Sequence, residues 1–83
     1  MSNVSRSEID RIAKEIAEKA IEAVESGEKI IVGDPYVRDR KIETDGHGLI
    51  SAECHKLSYF LGEVVFYRAE EIFTRYEKEG VRP

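Results

Sequence analysis

The stretch from Leu49 to Glu79 contains no proline and predicts one continuous helix. At 1.5 Å per residue this helix is about 45 Å long, which is too long for a chain of 83 residues to enclose. We expect the helix to begin either near Leu49 or after a cap at Ser51. The rest of the chain must therefore arrange itself along this helix.

Two apolar stripes follow the helix when its residues are placed at 100° intervals. The broader stripe is typical of a helix that packs on its own domain, and it contains Ile50, Cys54, Leu57, Leu61, Val64, Val65 and Ile72. A second stripe of alternating large and small residues lies on nearly the opposite side, and we predict that it forms a homodimer interface made by Tyr59, Gly62, Phe66, Ala69 and Phe73. The alternative is that the first helix or the ribbon covers these rings within a monomer.

The N-terminal third predicts a one-faced helix over about residues 5–26. Ser5 and Glu8 have the spacing of a capping box, and Gly27 is suited to end the helix in a left-handed conformation. We expect this helix to pack on the long helix through the larger apolar residues of both, namely Ile9, Ile12, Ile16 and Val24 against Leu57, Leu61, Val64 and Ile72.

A short β-ribbon is predicted between the helices, over about residues 29–44. Ile30 to Val32 is a β-branched run bounded by glycines, and Val37 to Thr44 reads as a charged edge strand after a turn at Pro35. Asp45-Gly46 resembles a tight hairpin turn. The sequence thus predicts an α+β fold in the order α-β-β-α, with antiparallel helices at about 5–26 and 50–79, in one domain over 1–83.

Composition favours a protein that works by binding other proteins. The chain is 41% apolar and 36% charged, with a net charge of −4, which disfavours broad attraction to nucleic acid or anionic lipid. No apolar run approaches the length of a membrane span. The N-terminal stretch also lacks a secretory signal. We therefore expect a cytoplasmic homodimer, an adaptor, regulator or accessory subunit, without a cofactor. Abundant Glu, Lys and Arg with no Gln also hint at a thermophilic source.

An alternative function is nucleic-acid binding by the ribbon. Arg38, Arg40 and Lys41 form a basic cluster beside Tyr36, whose ring could stack on a base. In a dimer, the two-fold axis would double this surface. Asp39 and Glu43 dilute the positive charge of the cluster.

A small metal-binding or hydrolytic protein is the third possibility. His47, Cys54 and His55 have metal-ligand character, but the paired Cys-x-x-Cys or His-x-x-x-His spacing of zinc sites is absent. Cys54 lies near two histidines without the elbow or oxyanion loop that nucleophilic catalysis requires. We therefore expect Cys54 to be a buried thiol, and the protein not to be an enzyme.

Overall fold

Residues 4–83 form three helices and a two-stranded antiparallel ribbon in the order α-β-β-α-α. In the computed structural model, residues 4–83 are described, and residues 1–3, part of the stretch in which no secretory signal is expected, lie outside the described residues. The elements are α1 (Arg6–Ser26), β1 (Ile30–Gly33), β2 (Lys41–Thr44), α2 (Gly46–His55) and α3 (Tyr59–Glu79). The predicted α+β class is confirmed, while the C-terminal helix is divided into two.

The first helix begins and ends where the sequence predicts. The Ser5 hydroxyl accepts a hydrogen bond from the Glu8 amide at 3.2 Å, and Gly27 ends the helix with φ of 72°. The Glu8 carboxylate accepts from the Arg11 guanidinium in the following turn. Both caps satisfy backbone groups that a helix leaves without partners at its ends.

The ribbon has one covered face and one open face. Ile31 lies opposite Glu43 in the antiparallel register, and Val32 lies opposite Ile42. Burial alternates along both strands. Ile30, Val32 and Ile42 are half-buried on the face that α2 covers. The open face carries Ile31, which is 53% exposed.

The second strand is shorter than predicted because a loop occupies its first half. The Asp34 carboxylate accepts hydrogen bonds from the amides of Tyr36 and Val37, at 2.8 and 3.2 Å, which is how aspartate stabilises turns. Asp39 adopts φ of 62°. Residues 37–40 therefore belong to the loop, and the strand proper begins at Lys41.

The predicted long helix is interrupted at Lys56, Leu57 and Ser58. Ser58 is in an extended conformation, and its hydroxyl accepts from the Leu61 amide at 3.2 Å, which starts α3. At the other end of α2, the Asp45 carboxylate accepts from the Gly48 amide at 2.9 Å. The Asp45-Gly46 pair thus begins a helix, where the sequence had suggested a hairpin turn.

The core lies between α1, α2 and α3 and is built around small side chains. Ala13, Ala17 and Ala20 of α1 are fully buried, as is Ala69 of α3. The largest fully buried side chains are those of Ile21, Ile50, Val65 and Phe73. Of the residues predicted to join the helices, Val24 and Val64 are exposed at 44% and 43%, whereas the isoleucines and leucines border the core.

Alanine at the contact lets the helix backbones approach closely, so the larger residues lie beside the contact rather than at its centre. The result is a flat molecule with Cα extents of 39 × 36 × 14 Å. None of the helices in residues 4–83 combines the length and apolar character needed to cross a membrane.

Candidate interaction surface

The outward side of α3 carries an apolar stripe that no part of residues 4–83 covers. Phe60 is 83% exposed, Tyr67 is 66% exposed and Val64 lies between them at 43%. Their spacing of four and three residues places all three on one side of a helix. That side is opposite to Val65, Ala69 and Phe73, which α3 turns into the core. We call Phe60, Val64 and Tyr67 the outward stripe.

The position of the outward stripe is fixed by close packing at the start of α3. Gly62 faces the end of α2, and a Cβ atom built on it would lie 2.5 Å from the backbone oxygen of Cys54. Only glycine permits this approach. The turn at Ser58 and the contact at Gly62 together set the direction of α3.

An open depression of about 420 Å³ lies beside the outward stripe, between the end of α2 and the start of α3. Its lining includes the rings of His55, Tyr59, Phe66 and Tyr67. Tyr59 is 88% exposed. Tyr67 belongs to both features, so an aromatic surface continues from the depression onto the outer side of α3.

The residues predicted for the dimer interface are divided between the surface and the interior. Gly62, Ala69 and Phe73 are buried by the chain's own α1 and α2, so in this fold they are not available to a second copy. Phe66 is half-buried and Tyr59 is exposed. Of the three rings in this stripe, the chain therefore covers Phe73 fully, Phe66 in part and Tyr59 hardly at all. Dimerisation itself stays a prediction.

The basic cluster lies on the loop of the ribbon and at the start of β2. Tyr36 is 85% exposed, and its ring centroid lies 5.4 Å from that of His55. The Arg40 guanidinium lies 3.6 Å from the Asp34 carboxylate. Across residues 4–83, neither Arg38 nor Lys41 takes part in an ion pair. The cluster therefore has two uncompensated cations beside one exposed ring.

The three weak metal-ligand candidates do not converge. His47 and His55 lie near opposite ends of α2, about 12 Å apart along a helix axis, and Cys54 is buried. Within the part of the chain that the structure describes, no group of three His, Cys, Asp or Glu side chains has the arrangement of a metal site.

His47 instead bridges two carboxylates of α3. Its Nδ1 lies 3.0 Å from both oxygens of Glu70, and its Nε2 lies 2.8 Å from Glu77. The pKa of His47 is raised, chiefly by the hydrogen bond to Glu70 and further by Glu77. Partial burial acts in the opposite direction and lowers the pKa, but its effect is smaller. The imidazole ring also packs against the Phe73 ring in a T-shaped arrangement, with ring centroids 4.9 Å apart. This arrangement ties the start of α2 to the middle of α3.

Cys54 has the environment of an inert thiol. Burial, with smaller contributions from Glu53 and Glu70, raises its pKa to about 11. Nucleophilic cysteines have the opposite property, because an adjacent cation or base lowers their pKa.

Sequence reasoning missed the outward stripe, although its spacing was present. Phe60 and Tyr67 belong to neither stripe of the predicted long helix, and Val64 was assigned to the core side. A four-three repeat from Phe60 to Tyr67 was the available signal. It was missed because Val64 was assigned to the core stripe, which left Phe60 and Tyr67 as isolated rings on their side of the helix.

Comparison of the chain with protein-family models, with curated proteins and with solved structures finds no match.

Proposed function

We propose that this protein is a homodimeric protein-interaction module that assembles through the outward stripe of α3. The observation that carries the proposal is the exposure of Phe60, at 83%, in line with Val64 and Tyr67. A contiguous aromatic surface is costly to leave in water and typically marks a protein-protein contact. Most charged residues of α3 lie away from this line.

An antiparallel pair of α3 helices explains the order of residues along the stripe. A two-fold axis beside Val64 places Phe60 of one copy against Tyr67 of the other, so that each ring gains an aromatic neighbour. The surface is therefore complementary to itself in the placement of its two rings.

The test is the mass of the assembly in solution. At a protein concentration of about 100 μM, a contact with a dissociation constant in the low micromolar range is populated, and sedimentation should give a multiple of 9.5 kDa. Phe60→Glu should halve that mass and leave the helical circular dichroism signal unchanged, because Phe60 is exposed in the isolated chain. A mass that Phe60→Glu leaves unchanged would refute the proposal.

Tyr36→Glu is the matched control for this experiment. Tyr36 is exposed to 85%, close to the value of Phe60, but it lies on the ribbon loop rather than on α3. The same change of ring to carboxylate at Tyr36 should leave the mass unchanged. Equal effects of the two substitutions would mean that added negative charge, and not loss of the outward stripe, separates the copies.

A second candidate function is nucleic-acid binding by the ribbon loop, and it is favoured by the unpaired cations of Arg38 and Lys41 beside the exposed Tyr36. If these groups contact phosphates, the logarithm of affinity falls with the logarithm of salt concentration with a slope near −0.9 for each phosphate neutralised. Replacement of Arg38 and Lys41 by Ala should reduce the slope. Absence of binding at low salt would remove this candidate.

A further inference from the structure

The outer edge of β1 is an unprotected strand edge. β1 reads Ile-Ile-Val-Gly, without a charged residue or a proline, whereas β2 presents Lys41 and Glu43. Charged side chains on an edge strand discourage pairing with other strands. The ribbon therefore protects one of its two edges and leaves the other open.

The hydrogen bonds of the ribbon show which backbone groups of β1 point outwards. The Asp34 amide donates to the Arg40 carbonyl at 2.7 Å, so Asp34 and Arg40 form a hydrogen-bonded pair. Hydrogen-bonded and non-hydrogen-bonded pairs alternate along an antiparallel ladder. Val32 and Ile30 therefore also belong to hydrogen-bonded pairs. The N–H and C=O groups of Ile31 and Gly33 consequently face away from β2. Across residues 4–83, no other backbone group bonds to them.

The covered face of the ribbon is also incomplete. Ile30, Val32 and Ile42 are only half-buried beneath α2, and a sheet of two strands has little stability of its own. Ile31 adds a 53% exposed side chain on the open face. A further strand beside β1 would cover apolar surface on both faces.

We propose that β1 pairs antiparallel with β1 of a second copy, which joins the two ribbons into a four-stranded sheet in the order β2-β1-β1-β2. The two-fold axis passes through the sheet at Ile31. Each Ile31 then exchanges backbone hydrogen bonds with its counterpart, and Lys29 lies opposite Gly33 rather than opposite another charge. Both α2 helices lie on the same face, so the half-buried Ile30 and Val32 of the two copies become neighbours.

A second copy fits this edge better than an unrelated strand because the sequence of β1 is complementary to itself in this register. Pro35 lies beyond the paired region, so its missing N–H is not required. The pairing is also distinct from the outward stripe of α3. If both contacts form, the protein assembles beyond a dimer.

Ile31→Pro tests the pairing without damaging the ribbon. Across residues 4–83 the Ile31 N–H makes no backbone hydrogen bond, so proline at this position removes an outward donor without breaking a bond to β2, and it is tolerated at an edge. The mass from sedimentation should fall by half, while the helical circular dichroism signal is retained. A mass that Ile31→Pro leaves unchanged would overturn the proposal.

Glu43→Pro is the matched control, because Glu43 lies directly opposite Ile31 and its N–H points to the other edge. We expect the mass of this variant to equal that of the unmodified protein. A fall by half in both variants would overturn the proposal, since it would show that proline acts by weakening the ribbon.

The two assembly contacts are distinguished by comparing variants. A fall in mass with Ile31→Pro but not with Phe60→Glu supports β1 pairing and refutes the α3 dimer. A fall in mass with Phe60→Glu but not with Ile31→Pro supports the α3 dimer and refutes β1 pairing. Loss with each variant separately, and a mass of 9.5 kDa only when both are combined, supports both contacts. A mass of 9.5 kDa for the unmodified protein overturns both.

Discussion

The imidazole of His47 lies 3.0 Å from both carboxylate oxygens of Glu70. This contact joins the first turn of α2 to the middle of α3, and Glu77 completes it from about two turns further along the same face. An imidazole that faces carboxylates at both ring nitrogens donates from both when it is protonated. The charged form is therefore the one that holds the two helices together.

We predict that His47 makes the protein more stable in mildly acidic than in alkaline solution. The folded-state pKa of His47 is raised above the ordinary value of 6.5, so its contribution is fully present below about pH 6.5 and is lost as pH rises through the folded-state pKa. His47→Gln should remove this dependence. Because His47 is partly exposed, the effect should be about 0.2–1 kcal/mol in the free energy of unfolding.

The measurement is urea unfolding of both proteins from about pH 5.5 to about pH 9. The difference in unfolding free energy between the unmodified protein and His47→Gln should be largest at the acidic end. His55→Gln is the control, since His55 contacts the Tyr36 ring rather than a carboxylate. A difference that grows with pH would contradict the assignment.

A second prediction concerns the contact between the start of α3 and the end of α2. Gly62→Ala normally favours a helix by about 1 kcal/mol, but here the added methyl meets the Cys54 carbonyl oxygen at 2.5 Å. We therefore expect a net loss of stability and a lower melting temperature. Gly33→Ala is the comparison, because a Cβ there meets nothing within 4 Å. A more stable Gly62→Ala protein would show that α3 does not approach α2 in this way.

A third prediction separates the core from its border on α1. Ile21 is fully buried whereas Val24, one turn later, is 44% exposed. Ile21→Ala should cost about 2–5 kcal/mol of unfolding free energy, since it leaves a cavity. Val24→Ala should cost much less. Thermal unfolding of the two variants, measured side by side, checks this prediction. Similar losses of stability would mean that α1 turns a different side towards the core.

A fourth prediction is that Cys54 resists alkylation in the folded protein. Its pKa is raised to about 11 and its side chain is buried, so little thiolate is present or accessible near neutral pH. Iodoacetamide should modify the chain slowly in buffer and rapidly in denaturant, as followed by mass spectrometry. Rapid modification of the folded protein would mean that α2 opens readily from the core.

The ends of α1 were predictable because they depend on local chemistry. The Ser5 cap and the left-handed Gly27 each involve only neighbouring residues, and the structure contains both. The caps at Asp45 and Ser58 use the same chemistry, but the unbroken apolar pattern around Ser58 favoured a continuous helix. Local rules therefore predicted both ends of α1 but neither the cap at Asp45 nor the cap at Ser58.

The two apolar stripes of the predicted long helix meet on the inward side of α3. α3 buries Val65, which was assigned to the first stripe, together with Ala69 and Phe73, which were assigned to the second. Its inward side therefore lies between the two stripes, and Leu61 and Phe66 border the core on either side of it. A pattern interpreted as two faces with two partners was thus one inward side with its borders, which only the packing of α3 on the other helices reveals.

The alanines between α1 and α3 also restrict which sequences can keep this fold. A border isoleucine can be exchanged for leucine, methionine or valine with modest loss, because such residues have room to rearrange. Ala13, Ala17, Ala20 and Ala69 have no such freedom, since any larger side chain forces two backbones apart and glycine loosens a helix. Random mutagenesis with selection for folded protein should therefore leave these four small positions almost invariant while the larger residues around them vary.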